Sequence, residues 1–307
     1  MRTAIRSALL SVAGALIVGM PLAAQRDTRS VLLVTPQWLA LHIHDPNLVL
    51  LHVGDKAEYE KAHIPGARYV EYRETHLMLD PLTKLTLQLL PDDTLRVRLA
   101  GLGISDDSQV IVYYGKDLVS QTTRVIFTLD FAGVGRATSL LDGGMGGWIR
   151  SGNATTADVA PSTLGALSAL KTKPLVVTAE FVRDNIGKPG FAVIDARASS
   201  FYEGVQEGGP SDARKKGHIS GALSVPFSSI TSDSLELKSA DDLAALFRDA
   251  GVKPGDTIIG YCHIGQQATA MLFAARTLGY KVLLYDGSFE DWARRGWSVD
   301  VSTKRDK

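Results

Sequence analysis

Short apolar runs recur along this chain, bounded by turn residues and separated by helix-like segments. In the first half they are Leu48-Val49-Leu50-Leu51-His52-Val53 and Val110-Ile111-Val112-Tyr113-Tyr114. In the second they are Phe191-Ala192-Val193-Ile194, Thr257-Ile258-Ile259-Gly260-Tyr261 and Lys281-Val282-Leu283-Leu284-Tyr285. Runs of this length with little polar alternation predict strands buried on both faces. The segments Thr122 to Phe131, Asp241 to Ala250 and Gln267 to Leu278 predict helices, the last closed by Gly279 as a C-cap. Strands alternating with helices predict an α/β fold of mainly parallel sheets flanked by helices.

The two halves repeat one another. His63-Ile64-Pro65-Gly66-Ala67 returns as His218-Ile219-Ser220-Gly221-Ala222, and Leu140-Leu141-Asp142-Gly143-Gly144 with Trp148 returns as Leu284-Tyr285-Asp286-Gly287-Ser288 with Trp292. Two landmarks in the same order predict duplicated domains. The segment from Gly152 to Lys173, rich in Ala, Ser, Thr and Gly, is the expected linker between domains at 30–151 and 174–301. The two tryptophans are expected to pack after their turns rather than to hold a ligand.

Composition narrows the classes. Lys plus Arg and Asp plus Glu both number 33, so no net field draws the 307-residue chain to nucleic acid or to an anionic membrane. Arg2 and Arg6 precede an apolar stretch from Ala8 to Met20, then Pro21-Leu22-Ala23-Ala24. That arrangement predicts a signal peptide over residues 1–24, an exported periplasmic protein, and no stable membrane association after cleavage; an uncleaved anchor is the alternative. With one cysteine there is no internal disulfide. A lone thiol in an exported protein is either a free reactive group or a small buried hydrophobe.

The surroundings of Cys262 favour reactivity. It directly follows the strand ending at Tyr261, and His263-Ile264-Gly265-Gln266 leads into a predicted helix near Gln267. Strand, tight loop and helix N-terminus form an anion cradle, because successive N–H groups converge there without intrahelical partners. Such a cradle favours the thiolate. It also places Cys262 at the carboxyl edge of a parallel sheet, where open α/β folds bind ligands.

These motifs together resemble the tandem-domain rhodaneses, the thiosulfate and 3-mercaptopyruvate sulfurtransferase family, from about Val34 to Trp297. The resemblance rests on both His-Ile-x-Gly-Ala turns, both Asp-Gly-x-x-x-x-Trp landmarks, Asp195-Ala196-Arg197 and the cysteine loop. It implies two tandem rhodanese-like domains, the second catalytic and the first a wall of the shared cleft; the first repeat has no cysteine around Tyr114 to Leu118. It implies a ping-pong sulfurtransferase in which Cys262 carries sulfane sulfur from thiosulfate or 3-mercaptopyruvate to cyanide or a thiol, with no metal or organic cofactor. Substrate contacts are expected from Arg197, His263, Ile264, Gly265, Gln266, Gln267 and His63, in a monomer. Arg197 has an equal claim to a structural ion pair, and His63 and His218 to turn-stabilising bonds.

The loop itself departs from the family. Thiosulfate-type members tend to carry basic residues after the cysteine and mercaptopyruvate-type members small ones, whereas this chain has His263, Ile264, Gly265, Gln266 and Gln267. A further arginine often follows the Asp-x-Arg, where this chain has Phe201, Tyr202 and Glu203. The loop argues against a cysteine phosphatase, because the position of its anion-clamping arginine is Ala268. Two other readings stay open: a non-catalytic module that binds a partner or senses redox state, and a sulfur carrier loaded by a protein. For the latter, Gly204 to Lys216 offers a surface loop.

Overall fold

The computed structural model describes residues 28–302 apart from 118, 135, 136, 160, 162 and 212. The expected signal peptide at 1–24 lies outside the described residues. Each half carries a five-stranded parallel sheet. In the first the spatial order is Leu33–Val34, Ala137–Leu141, Gln109–Tyr114, Leu48–Val53, Arg68–Tyr69. In the second it is Val176–Val177, Lys281–Tyr285, Thr257–Tyr261, Phe191–Asp195, Leu223–Ser224. Numbered along each half, both sheets have the same order, so the motif repeat in the sequence is a repeat of topology.

The central strands are buried because helices cover both faces, which is why they read as continuous apolar runs. One face of each sheet packs within its own domain: Leu39, Ile111 and Trp148 in the first, Val193, Phe289 and Trp292 in the second. The opposite faces share one core. The helices Val119–Ala132 and Gln266–Thr277 lie against each other, and a single apolar cluster runs through Val125 and Leu129 of one to Met271 and Ala275 of the other. On this seam Thr123 and Thr269 meet hydroxyl to hydroxyl at 3.0 Å.

Each domain also sends a segment across the other. In the first domain the antiparallel pair Leu77–Leu79 and Thr86–Gln88 reaches the second, where the Thr86 N–H donates to Glu290 Oε2 at 2.8 Å. In the second, the segment bridged at Thr231 and Leu237 reaches the first, where Leu237 N–H donates to Asp142 at 2.8 Å. Leu87 and Leu235 occupy corresponding places and both have positive φ, 57° and 64°. That conformation strains a non-glycine residue, and in each case it turns a carbonyl to the other domain: Leu87 O accepts from Arg124 Nη2 at 2.8 Å, Leu235 O from the Tyr114 hydroxyl at 2.6 Å.

The segment after residue 151 is fastened to the first domain rather than hanging free. Thr156 bridges His63, Gly165 N–H donates to Ala100 O at 2.9 Å, and Lys173 pairs with Asp130 at 2.7 Å. Gly165 is required there, since a Cβ would stand 2.0 Å from Ile104 O.

One ion pair between the domains, Arg124 with Asp286 at 2.6 Å, is almost wholly buried. Replacing Arg124 by Met leaves the Asp286 carboxylate buried without its cation. We expect the urea midpoint to fall by the equivalent of about 3–5 kcal/mol, and part of the loss to return when Asp286→Asn is combined with it. An unchanged midpoint would show that the pair adds nothing to the folded state.

Candidate active site

Cys262 follows the last residue of the strand Thr257–Tyr261 and is 0 % exposed. Gly265, at φ 83°, turns the chain into the helix Gln266–Thr277. Glycine is needed there twice over: for the left-handed backbone, and because a Cβ would lie 2.7 Å from Asp286 Oδ1. The turn directs the N–H groups of Ile264, Gly265, Gln267 and Ala268 at the Cys262 sulfur. The cradle expected at the strand-to-helix junction is therefore present.

The backbone of the cysteine is fixed from behind. Cys262 N–H donates to Ser288 Oγ at 3.1 Å, and that hydroxyl donates on to Tyr285 O at 2.9 Å. Phe289 N–H donates to Cys262 O at 3.0 Å and Glu290 N–H to His263 O at 3.1 Å. Both donors lie at the start of the helix Ser288–Arg294.

The first domain supplies the facing wall. Arg124 pairs with Asp286 and points a second N–H at Gly265 O, 3.5 Å away. The Tyr72 hydroxyl donates to Gln266 Oε1 at 3.1 Å, and Gln266 Nε2 donates to Ser120 Oγ at 3.2 Å. Beneath Tyr72 the buried His76 ring lies 3.0 Å from Thr128 Oγ1, its pKa pushed down to about 3 mainly by burial and then by Arg124.

Burial dominates the electrostatics. It pushes the Cys262 thiol above its ordinary value, against the four N–H groups, which act the other way. The expectation that the cradle makes the thiolate the favoured form is corrected to this extent: desolvation wins over four partial charges. His263 sits with its ring edge-on to Phe201 at 4.5 Å, and burial, then Arg197, lowers its pKa to about 4. It is neutral at pH 7 and adds no positive charge to the loop.

Of the residues expected to touch substrate, the structure brings His263, Ile264, Gly265, Gln266 and Gln267 together around Cys262. Gln266 spends its amide on the first domain, and Gln267 Oε1 is buried without a hydrogen-bond partner. Arg197 takes its structural role. It is 0 % exposed and pairs with Asp195 through Nε and Nη2, the latter at 2.6 Å. Its Nη2 also donates to Gly217 O at 2.8 Å, and its guanidinium lies 3.9 Å from the centre of the Phe289 ring. His63 is not brought to the loop. Its ring nitrogens lie 2.6 Å from Tyr59 O and 3.1 Å from Asp158 O, and the ring stacks on Tyr59 inside the first domain.

Sequence reasoning passed over Arg124, Tyr72, Ser120 and Thr86 because nothing local marks them, and their partners lie far along the chain. Asp286 and Ser288 did carry a signal, since they belong to the repeated Asp-Gly landmark.

The model of the Rhodanese-like domain matches this chain twice, at residues 35–151 and 178–295. The chain is 30% identical over 277 residues to thiosulfate sulfurtransferase of Rattus norvegicus, covering 86% of this chain and 92% of that protein. It is 31% identical over 274 residues to 3-mercaptopyruvate sulfurtransferase of Escherichia coli (strain K12), covering 85% and 95%. Among solved structures, SseA from Escherichia coli, of the 3-mercaptopyruvate sulfotransferases and the rhodanese fold, superposes with a TM-score of 0.72 at 30% identity, covering 84% of this chain and 98% of that one. EanB in complex with ergothioneine shares the fold, with a TM-score of 0.79 at 19% identity over 92% of this chain and 72% of that one.

The balance at Cys262 has a direct readout. With burial prevailing, the alkylation rate of Cys262 by iodoacetamide rises with pH toward a midpoint above the ~8.5 of a free thiol. A midpoint below that value would mean that the loop N–H groups outweigh burial.

Proposed function

The chain belongs to the rhodanese-like family as a tandem pair and is a sulfurtransferase, and on that premise we propose that Cys262 carries the transferred sulfur as a persulfide. The observation that supports this most directly is the convergence of four backbone N–H groups on the sulfur of the one cysteine in the chain. In the first half-reaction the Cys262 thiolate attacks the outer sulfur of the donor. A Cys–S–S bond forms, the donor's own bond to that sulfur breaks, and its electron pair leaves with the remainder: sulfite from thiosulfate, pyruvate after protonation from 3-mercaptopyruvate. In the second, cyanide or a thiolate attacks the terminal sulfur and the electron pair returns to Cys262. No oxidant enters either step. Splitting the transfer in two is covalent catalysis.

The loop N–H groups serve both halves. They are fixed before the reaction and aimed at the atom that holds negative charge at the start and end of each step, so the site reorganises little. Burial raises the energy of the free thiolate, and a thiolate so desolvated gives up less solvation when it attacks. The first domain contributes by holding the loop: Arg124, paired with Asp286 of the second domain, reaches Gly265 O, and Tyr72 and Ser120 hold Gln266. These are positioning residues.

Intact mass after incubation with 3-mercaptopyruvate or thiosulfate tests the reading. The protein is expected to gain one sulfur atom, removable by cyanide, and Cys262→Ser to gain none; a sulfur adduct on the Ser variant would rule out Cys262 as the carrier. Gly265→Ala, which forces a Cβ against Asp286, is expected to slow persulfide formation by about 100-fold while the folded circular-dichroism spectrum is kept. Unaltered kinetics would show that the loop geometry is not what drives the transfer.

A further inference from the structure

The charge around Cys262 bears on which donors fit. Arg124 and Arg197 both act electrostatically on Cys262, and each is spent on a buried carboxylate, Asp286 and Asp195. Nη1 of Arg197, with both its N–H groups, has no hydrogen-bond partner. It is walled in: a Cβ on Gly208 would stand 2.5 Å from it, and the Phe289 ring covers the guanidinium face at 3.9 Å. The hairpin Glu207–Gly208 and Lys215–Lys216, read from the sequence as a free surface loop, is thus one wall of this enclosure.

Two side chains in and beside the loop are apolar. Phe201 lies half-buried, edge-on to the neutral His263 ring at 4.5 Å and 5.9 Å from the Arg197 guanidinium carbon. Ile264 is half-buried in the loop itself. The backbone N–H groups that could receive an oxyanion are already turned on the sulfur. A donor that brings two negative charges to a thiolate here meets repulsion that neither Arg124 nor Arg197, each held by a carboxylate, is free to offset, in surroundings where charge is poorly screened.

Resting on the persulfide reading above, we propose that the donor subsite selects an organic sulfane donor of at most one negative charge, with an apolar or aromatic carrier, over inorganic thiosulfate, and that Phe201 is a specificity-determining residue. For an organic thiosulfonate the step balances as for thiosulfate. Thiolate and donor, one negative charge each, give the persulfide anion and a sulfinate; the donor's S–S bond breaks with its electron pair on the sulfinate.

Three donors that share the S–SO2 unit separate charge from carrier: thiosulfate, the methanethiosulfonate anion and the benzenethiosulfonate anion. The rate at which each loads one sulfur onto Cys262 in the wild-type protein is read by quenched intact mass. Each rate is divided by that donor's rate with N-acetylcysteine, to remove its intrinsic reactivity. The expected normalised order is benzenethiosulfonate, then methanethiosulfonate, then thiosulfate, with at least a tenfold gap between the first and the last. Phe201→Arg, which projects a cation over the loop from a half-buried position, is expected to raise thiosulfate loading by about tenfold and not to raise benzenethiosulfonate loading. Thiosulfate equal to or faster than both organic donors in the wild type would overturn the donor assignment and leave the persulfide reading intact. Loading by none of the three, or by 3-mercaptopyruvate, with Cys262 alkylated normally by iodoacetamide, would overturn both.

Discussion

The buried pair of Arg124 and Asp286 is the constraint on which the site depends. It joins the helix of one domain to the turn of the other, and the same guanidinium reaches Gly265 O and Leu87 O. One side chain therefore ties together the domain interface, the crossing segment of the first domain and the glycine that shapes the cysteine loop. Charge burial of this kind adds little net stability by itself. Its effect is on geometry, since an arginine with several fixed acceptors has one arrangement in which all are satisfied, and the cysteine loop is built around that arrangement.

Duplication explains why such an interface exists, and comparing the repeats shows what stands in the first where the second carries its cysteine. Tyr113 and Tyr261 correspond, each hydroxyl accepting from the N–H of an Ile in the His-Ile turn, at 3.1 and 3.0 Å. Tyr114 then stands where Cys262 stands in the second repeat, and its ring fills the equivalent space, close enough that a Cβ on Gly144 would meet it at 2.4 Å. In the second repeat Tyr261 donates to Asp195 at 2.8 Å, and Asp195 holds Arg197. In the first the strand register puts His52 at that place, buried, with neither ring nitrogen hydrogen-bonded and its pKa lowered to about 4. The first repeat has aromatic packing in place of a charged pair and a thiol, and Tyr114 meets the neighbouring domain at Leu235 O.

The surroundings of the thiol follow from the same arrangement. Closing two domains over one loop excludes water, which raises the thiol pKa and strengthens every fixed dipole aimed at the sulfur. The two effects oppose each other in the free protein. Because Arg124 and Arg197 are spent on holding the domains and the Asp195 corner, the selectivity proposed for the site rests on shape and aromatic surface more than on charge.

The architecture was legible in the sequence because its causes are local and periodic. Apolar runs with the period of buried strands, turn glycines, and two ordered landmarks in each half are properties of short stretches, and they determined the α/β class, the duplication and Cys262 at a strand-to-helix junction. What the tertiary structure decided concerns partners distant in sequence. Arg124 lies in an unmarked helix, 162 residues from Asp286, and Tyr72 is 194 residues from Gln266. Nor does a residue type reveal whether its charge is spent. Arg197 looks the same in sequence whether it holds a substrate or holds Asp195, and His263 looks titratable until burial makes it neutral. Periodicity is written along the chain, whereas desolvation and charge pairing exist only once the chain has closed on itself.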